Sequence, residues 1–443
     1  MKKKILAIGL LIALTLSGCN SQSVNNDNSQ TVGGNNAPKV TGSGAIEVSP
    51  LDNIKETVGN IKDKVTNTKT EEVDTSQIKE ATNTFNWKLF SQLNTEDNQF
   101  YSALSLEQAL GIALIGSKEQ TRDEILNLLN ITDEEKFFEQ SQVLVNRIAP
   151  YSLANGIWIN SLYKKELNDT YEEDFFNPAK DYFDANVTIE AFIDNDVKTE
   201  IKDFVSKKTN GFIDNYNSEV DNSSSINIIN AIYFKDNWET PFEANDTYND
   251  IFYGKDSESE VEFMHMYDER YKLFEDDSTS LRILEIPYKE DEVMDIFLSE
   301  EENTVDVLNR LSIEEKNYLI DQIDSSRKIE IDLLALPKFE ESTKIEDLNN
   351  ILKSMGLITA YTKDANFENI GDFYISEVFH QAKIRVDEEG TEAAAVSEII
   401  MDKAAAPSFK ERIEFVIDKP FVYVIRDTKT GVILFTGTIQ NLE

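Results

Sequence analysis

Residues Glu388–Ser397 read Glu-Glu-Gly-Thr-Glu-Ala-Ala-Ala-Val-Ser, and this stretch with its continuation to Met401 decides the fold. By composition it would be a helix start or a surface loop. Taken with period two, it separates into two faces. Thr391, Ala393, Ala395, Ser397, Ile399 and Met401 fall on one, while Glu392, Ala394, Val396, Glu398, Ile400 and Asp402 fall on the other. Every acidic residue between Gly390 and Lys403 lies on the second face. A strand with one charge-free face, small at its start, can slide between existing strands without stranding a charge. That is an unusual property for an exposed loop.

Strand signals surround this segment. Ile384 and Val386 alternate just before it, and Phe421 to Ile425 joins Val432 to Phe435 through Asp427 to Gly431 as a hairpin. Ile226 to Phe234, and Ile329, Ile331 and Leu333 ahead of Pro337, read as further strands. Nearer the N-terminus the spacing is helical: Ile78, Ala81, Phe85, Leu89 and Leu93 follow a candidate capping pair, Asp74 and Gln77. Helical patterns continue to about Leu129, with Ser117 to Gln120 as an interhelical turn. Helices early and strands late argue for an α+β domain.

The chain begins with Lys2 to Lys4, an apolar run from Ile5 to Leu16, then Ser17, Gly18 and Cys19, which reads as an export signal. The run is shorter than the ~20 residues needed to span a bilayer. Asn20 to Thr75 is polar and rich in Asn, Ser and Gly, too poor in apolar surface to offset its ordering entropy. The expected organisation is therefore a signal over 1–18, a flexible tether over 19–75 and one globular domain over 76–443.

Composition excludes several functions. Lys and Arg number 43 against 82 Asp and Glu, a net charge of −39, which repels nucleic acid. The only histidines are His265 and His380 and the only cysteine is Cys19, so no zinc site of His and Cys ligands can be assembled. There is no phosphate-binding Gly-rich loop followed by Lys, and no Gly-x-Ser-x-Gly elbow. A Ser-His-Asp triad through His380 is possible on paper. A buried histidine satisfied by hydrogen bonds is the preferred reading. Neither enzymatic activity nor a cofactor is expected.

Glu388 to Ala395 closely resembles the hinge of the reactive-centre loop in inhibitory serpins. Similar marks follow in order from about Ser76 to Glu443: Asn98 to Leu110, Asn155 to Trp158, Thr209 to Ile213, Asn230 to Trp238 with Phe242, Leu336 to Phe339, and Lys419 to Phe421 with Leu434 to Gly437. Ala103 and Ser299 depart from the pattern, standing where the family commonly has Pro.

The resemblance implies a serpin fold: early helices on a large mixed central sheet, smaller sheets, and an exposed reactive-centre loop. It implies a suicide substrate, which a serine protease cleaves to an acyl-enzyme and which then inserts its cut loop into the central sheet. The alternative is a non-inhibitory serpin acting as a binding or carrier module. The hinge would comprise Glu388, Gly390, Thr391, Glu392, Ala393, Ala394 and Ala395. Family spacing puts the scissile bond between Ala404 and Ala405, or one residue earlier between Lys403 and Ala404. The first suits an elastase-like or subtilisin-like protease and the second a trypsin-like one. Ser102, Ser105, Asn230 and His380 match a buried polar shutter, and Trp238 the breach. Thr391 is expected near the surface of the intact form.

Leu16 to Cys19 resembles a bacterial lipobox, which implies lipid on Cys19 and an extracytoplasmic, membrane-anchored protein. A monomer is expected. No polyanion activator is expected, because the stretch beginning at Asp133 is acidic at its start.

Overall fold

The structure is a computed structural model that describes residues 74–93, 96–148, 153–192, 196–214, 216, 220–221, 224–345, 347–391 and 412–443. The chain divides into two units, Met1–Glu71 and Glu72–Glu443, and the described residues all belong to the second. The signal, most of the tether, Cys19 and the segment 392–411 lie outside the described residues.

The early helices are α1 (Ser76–Phe90), α2 (Ala103–Gly116), α3 (Glu119–Leu128), α4 (Glu134–Ile148), α5 (Asn177–Phe183) and α6 (Asp196–Lys208). The strands in chain order are β1 (Gln99–Tyr101), β2 (Leu153–Asn160), β3 (Asn186–Glu190), β4 (Ile226–Tyr233), β5 (Asp236–Asn237), β6 (Thr247–Tyr253), β7 (Glu258–Asp276), β8 (Leu281–Pro287), β9 (Glu292–Ser299), β10 (Lys328–Pro337), β11 (Phe339–Lys344), β12 (Ile375–Asp387), β13 (Gly390–Thr391), β14 (Glu414–Val416), β15 (Phe421–Asp427) and β16 (Ile433–Ile439). Helices dominate early and strands late, as the periodicities require. Gln77 does not form the expected cap. Its side-chain oxygen accepts from Thr132 Oγ1 at 2.8 Å and Asp133 N at 3.0 Å, while Asp74 alone accepts from Ser76 N.

Two sheets organise the domain. One runs β3-β2-β4-β12-β11, with β13 and β5 continuing beyond β12 at one end; the other contains β1, β16, β15, β9, β8, β7, β10 and β14, with β6 on β7. Strand β4 is buried along its whole length, which explains its unbroken apolar run. One face meets α2, which is buried at every residue, Glu107 and Gln108 included. On the other face α6 lays Val197, Ile201 and Val205 into a second core with Trp158, Ile229, Ala231 and Phe379.

The pairing of β4 with β12 matters most. These strands lie side by side in parallel, from Ile226 opposite Ile375 to Tyr233 opposite Lys383. Parallel neighbours need a long crossover. No strand stands between them over these positions, and their shared direction would let a further strand enter antiparallel to both.

Candidate functional site

The middle of the seam is polar. Asn155 of β2, Asn230 of β4 and His380 of β12 are direct cross-strand partners and so face the same way. Beneath them Ser102 caps α2, its hydroxyl oxygen accepting from Ser105 N at 3.1 Å and donating its own proton to Leu434 O at 2.6 Å. Ser105 Oγ donates to Asn230 Oδ1 at 2.7 Å, and Asn230 Nδ2 donates to Ser105 O at 2.8 Å and Asn155 Oδ1 at 2.9 Å. All five residues are buried. The four expected shutter residues come together, and Asn155 joins them. Ala103 is the first residue of α2, where Pro would be pre-organised, and the capping by Ser102 holds without it.

His380 closes the network across the seam. Its Nε2 accepts from Ser102 N–H at 3.1 Å, so the ring proton sits on Nδ1 and is donated to Asn230 Oδ1 at 2.7 Å. Both nitrogens are committed to an amide oxygen and a backbone N–H, and neither serine hydroxyl donates to the ring, so the triad arrangement is not formed. Burial lowers the His380 pKa from 6.5 to about 3. The neutral ring is the folded form, and protonation would turn an Nε2–H against the Ser102 N–H.

The sign of the pH dependence follows. The folded pKa lies below the unfolded one, so the stabilisation is complete above pH 6.5 and is lost as pH falls from there towards 3. Burial raises the carboxyls of Glu107 and Glu341, the latter to about 7, and these act in the opposite sense. A comparison with His380→Gln isolates the histidine. Between pH 6.5 and 4.5 wild type should lose roughly 2–3 kcal/mol of unfolding free energy relative to the variant. Urea unfolding at both pH values measures it, and a constant difference would refute it.

At one end the seam is forked. Glu388 and Glu389 form a two-residue turn, after which β13 folds back along β12, Asp387 opposite Gly390 and Val386 opposite Thr391. The other edge of β13 pairs with β5, Gly390 opposite Asn237 and Thr391 opposite Asp236. Gly390 has φ +148°, and a Cβ there would collide with the carbonyl oxygen of Asp236 and lie 2.6 Å from Asn237 Cα. Thr391 is not near the surface as expected. It is fully buried, its hydroxyl 2.8 Å from Tyr288 OH, because the two-residue hairpin tucks it between β12 and β5.

Trp238 locks the fork. Its backbone N–H donates to Glu389 O at 2.9 Å, its indole N–H donates to Asp387 O at 3.0 Å, and its ring stacks on Tyr288 at 4.4 Å. Phe242 N donates to Glu388 O at 2.8 Å, and Lys338 pairs with Glu388 at 3.2 Å. Sequence reasoning found Trp238, Phe242 and the stretch containing Lys338, and missed Tyr288 and the ion pair. The hinge residues Glu392, Ala393, Ala394 and Ala395 and the candidate bonds at Lys403, Ala404 and Ala405 lie outside the described residues.

Early helices on a large mixed sheet are the fold the resemblance implied, and comparison with known proteins agrees. The profile of the family described as Serpin (serine protease inhibitor) matches residues 80–442. The chain belongs to the serpin family. Mouse neuroserpin is 31% identical over 376 residues, covering 79% of this chain and 87% of that protein. The thermophilic serpin tengpin in its native state superimposes with a TM-score of 0.72 at 26% identity, covering 84% of this chain and 95% of that one. Human thyroxine-binding globulin complexed with thyroxine shares the fold, with a TM-score of 0.72 at 23% identity over 83% of this chain and 99% of its own. Serpins generally inhibit serine proteases rather than catalyse reactions, though the globulin's complex with thyroxine shows that the fold also binds a small molecule.

Proposed function

We propose that this serpin is a suicide-substrate inhibitor of serine proteases. The observation that carries the reading is the β4–β12 seam, parallel and closed by a buried polar network, with Gly390–Thr391 wedged in one end. Cleavage at Ala404–Ala405, or at Lys403–Ala404, releases the segment after Thr391 to continue the strand that β13 begins. The charge-free set from Thr391 to Met401 then faces the core. At about 3.3 Å per residue the inserted strand carries the acylated protease tens of ångströms along the sheet. Distortion at the far pole stalls deacylation. Serpin loop insertion is itself a recognised example of a strain-releasing switch. The protein contributes no catalytic group. The small residues Thr391, Ala393 and Ala395 favour this over a carrier role, because nothing bulky or charged blocks entry.

Ala404 before the bond fits an elastase-like or subtilisin-like protease. Incubation with elastase should give a covalent complex that survives a denaturing gel, whereas simple cleavage with full residual protease activity would support the carrier reading. A monomer without polyanion activation is part of this proposal.

The protein is further proposed to sit outside the cytoplasmic membrane, held by lipid on Cys19, on the strength of the Leu16–Cys19 tetrad behind a basic apolar signal. Wild type should partition into detergent and Cys19→Ala should not; equal partitioning would rule the anchor out.

A further inference from the structure

Three buried side chains on the outer face of the sheet carry polar atoms with no hydrogen-bond partner among the described residues: Trp158 Nε1, both amide atoms of Asn227 and the hydroxyl of Tyr216. Buried polar groups are nearly always paired, so three together call for a partner. They gather at one level of the seam. Trp158 and Asn227 are direct partners across β2 and β4, and Tyr216, in the connection from α6 to β4, lays its ring 4.5 Å from that of Phe379 on β12. Lys344 Nζ stands 4.6 Å from the centre of the same Phe379 ring. Burial, with the charge of Glu377 adding to it, raises the Tyr216 pKa, so the phenol keeps its proton and can donate it.

The register of β13 identifies what would arrive there. Thr391 lies opposite Val386 on one side and Asp236 on the other, and Tyr233 lies opposite Lys383, so β4, β5 and β12 keep one offset along the seam. A strand continuing β13 runs antiparallel to both neighbours, and each residue forward on it meets one residue back on each of them. Glu392 then falls between Arg385 and Lys235, both cationic. Glu398 falls between Phe379 and Ile229, on their face of the sheet and inside the apolar core that α6 covers. Of the two acids between Thr391 and Met401, Glu398 alone meets no cation at its direct partners.

A carboxylate buried there without partners carries a large desolvation penalty, and Glu377, a diagonal neighbour on β12, adds a like charge. The unpaired groups meet that need. Asn227 is a diagonal neighbour on β4, within reach of a long side chain. The Tyr216 phenol and the Lys344 ammonium lie against the Phe379 ring, beside which Glu398 would stand.

We propose that Tyr216, Asn227 and Lys344 form a carboxylate-binding site on the outer face of the seam, and that Glu398 of the inserted strand is its occupant. This rests on the inhibitory reading and adds to it a checkpoint: seating Glu398 decides whether insertion runs past the middle of the sheet.

For the test, the loop is cut on the C-terminal side of Met401 with a metalloprotease, whose nucleophile is a metal-bound water, so no acyl-enzyme forms and every molecule ends in the cut form. Unfolding in guanidinium is followed for intact and cut wild type, Tyr216→Phe, Glu398→Ala and the double variant. Tyr216→Phe removes a hydroxyl that has no partner in the intact form, so the intact midpoint should not fall, whereas the cut midpoint should. In the Glu398→Ala background the same substitution should leave the cut midpoint unchanged. Against elastase, Tyr216→Phe should at least double the inhibitor consumed per protease trapped, and this effect too should vanish without Glu398. A cut midpoint that Tyr216→Phe lowers equally with and without Glu398, or not at all, would overturn the carboxylate site while leaving loop insertion standing. A cut wild type no more stable than the intact one would overturn the insertion reading and the site with it.

Discussion

Thr391→Arg is expected to turn the inhibitor into a substrate: the protease should cleave the variant and leave with full activity. Thr391 is the first residue of the strand that would enter the seam, so its side chain must be accommodated before any other can follow. It is already buried, with its hydroxyl on Tyr288 OH. A guanidinium at that point has no partner, and taking it out of water costs several kcal/mol. The cost falls early, on the way to the inserted state. A barrier raised by only ~2.7 kcal/mol slows insertion about a hundredfold, while hydrolysis of the acyl-enzyme proceeds at its usual rate.

The intact form suffers as well, because β13 must leave its place between β12 and β5 for the arginine to reach water. A loss of roughly 1–3 kcal/mol is expected, read as a melting temperature lower by a few degrees in a domain of this size. Thr391→Val separates the two effects. It keeps the shape and strands the Tyr288 hydroxyl, so it should lower the melting temperature yet still trap protease. Trapping by Thr391→Arg at the wild-type stoichiometry would show that Thr391 does not lead the insertion.

The loop's capacity to become a strand is written locally, in the alternation from Thr391 to Met401, and needs no knowledge of the fold. The burial of Thr391 is not. It depends on Tyr288, 103 residues away, and on a hairpin geometry that only the collision at Gly390 with Asp236 and Asn237 reveals. Asn155 belongs to the shutter by cross-strand register with Asn230, and register is invisible until the strands are paired. The cap expected from Asp74 and Gln77 failed because a tertiary contact, with Thr132 and Asp133, outcompeted the local one. The hairpin from Phe421 was legible as a strand pair. Its buried Arg426, held by Asp295 and Glu285 at 2.6 Å each and by Asp324 at 3.1 Å, gave no signal in an otherwise apolar run.

The polar network and the wedged hinge act at different points along β12. Asn230 and His380 hold β4 to β12 at mid-seam, while beyond the end of β4 Gly390–Thr391 lies between β12 and β5. A form so arranged persists because opening the seam must break a satisfied buried network before new ladder bonds can form. On the proposed insertion mechanism, its lifetime is a matter of that barrier rather than of equilibrium stability.

On the proposed mechanism β4 and β12 part during inhibition, so a bond placed across them should block it. Ala231 and Gln381 are direct partners across the seam, and facing residues on adjacent strands lie within the Cα separation a disulfide can span. With Cys19 replaced by Ser, Ala231→Cys/Gln381→Cys introduces the only two thiols in the chain. The measurement is the fraction of protease in covalent complex on a denaturing gel, run without reductant, for the oxidised and the reduced variant against the same elastase. The oxidised form should be cut without forming complex, and prior reduction should restore trapping to the wild-type ratio. Equal trapping by both forms would mean that the strand does not enter between β4 and β12.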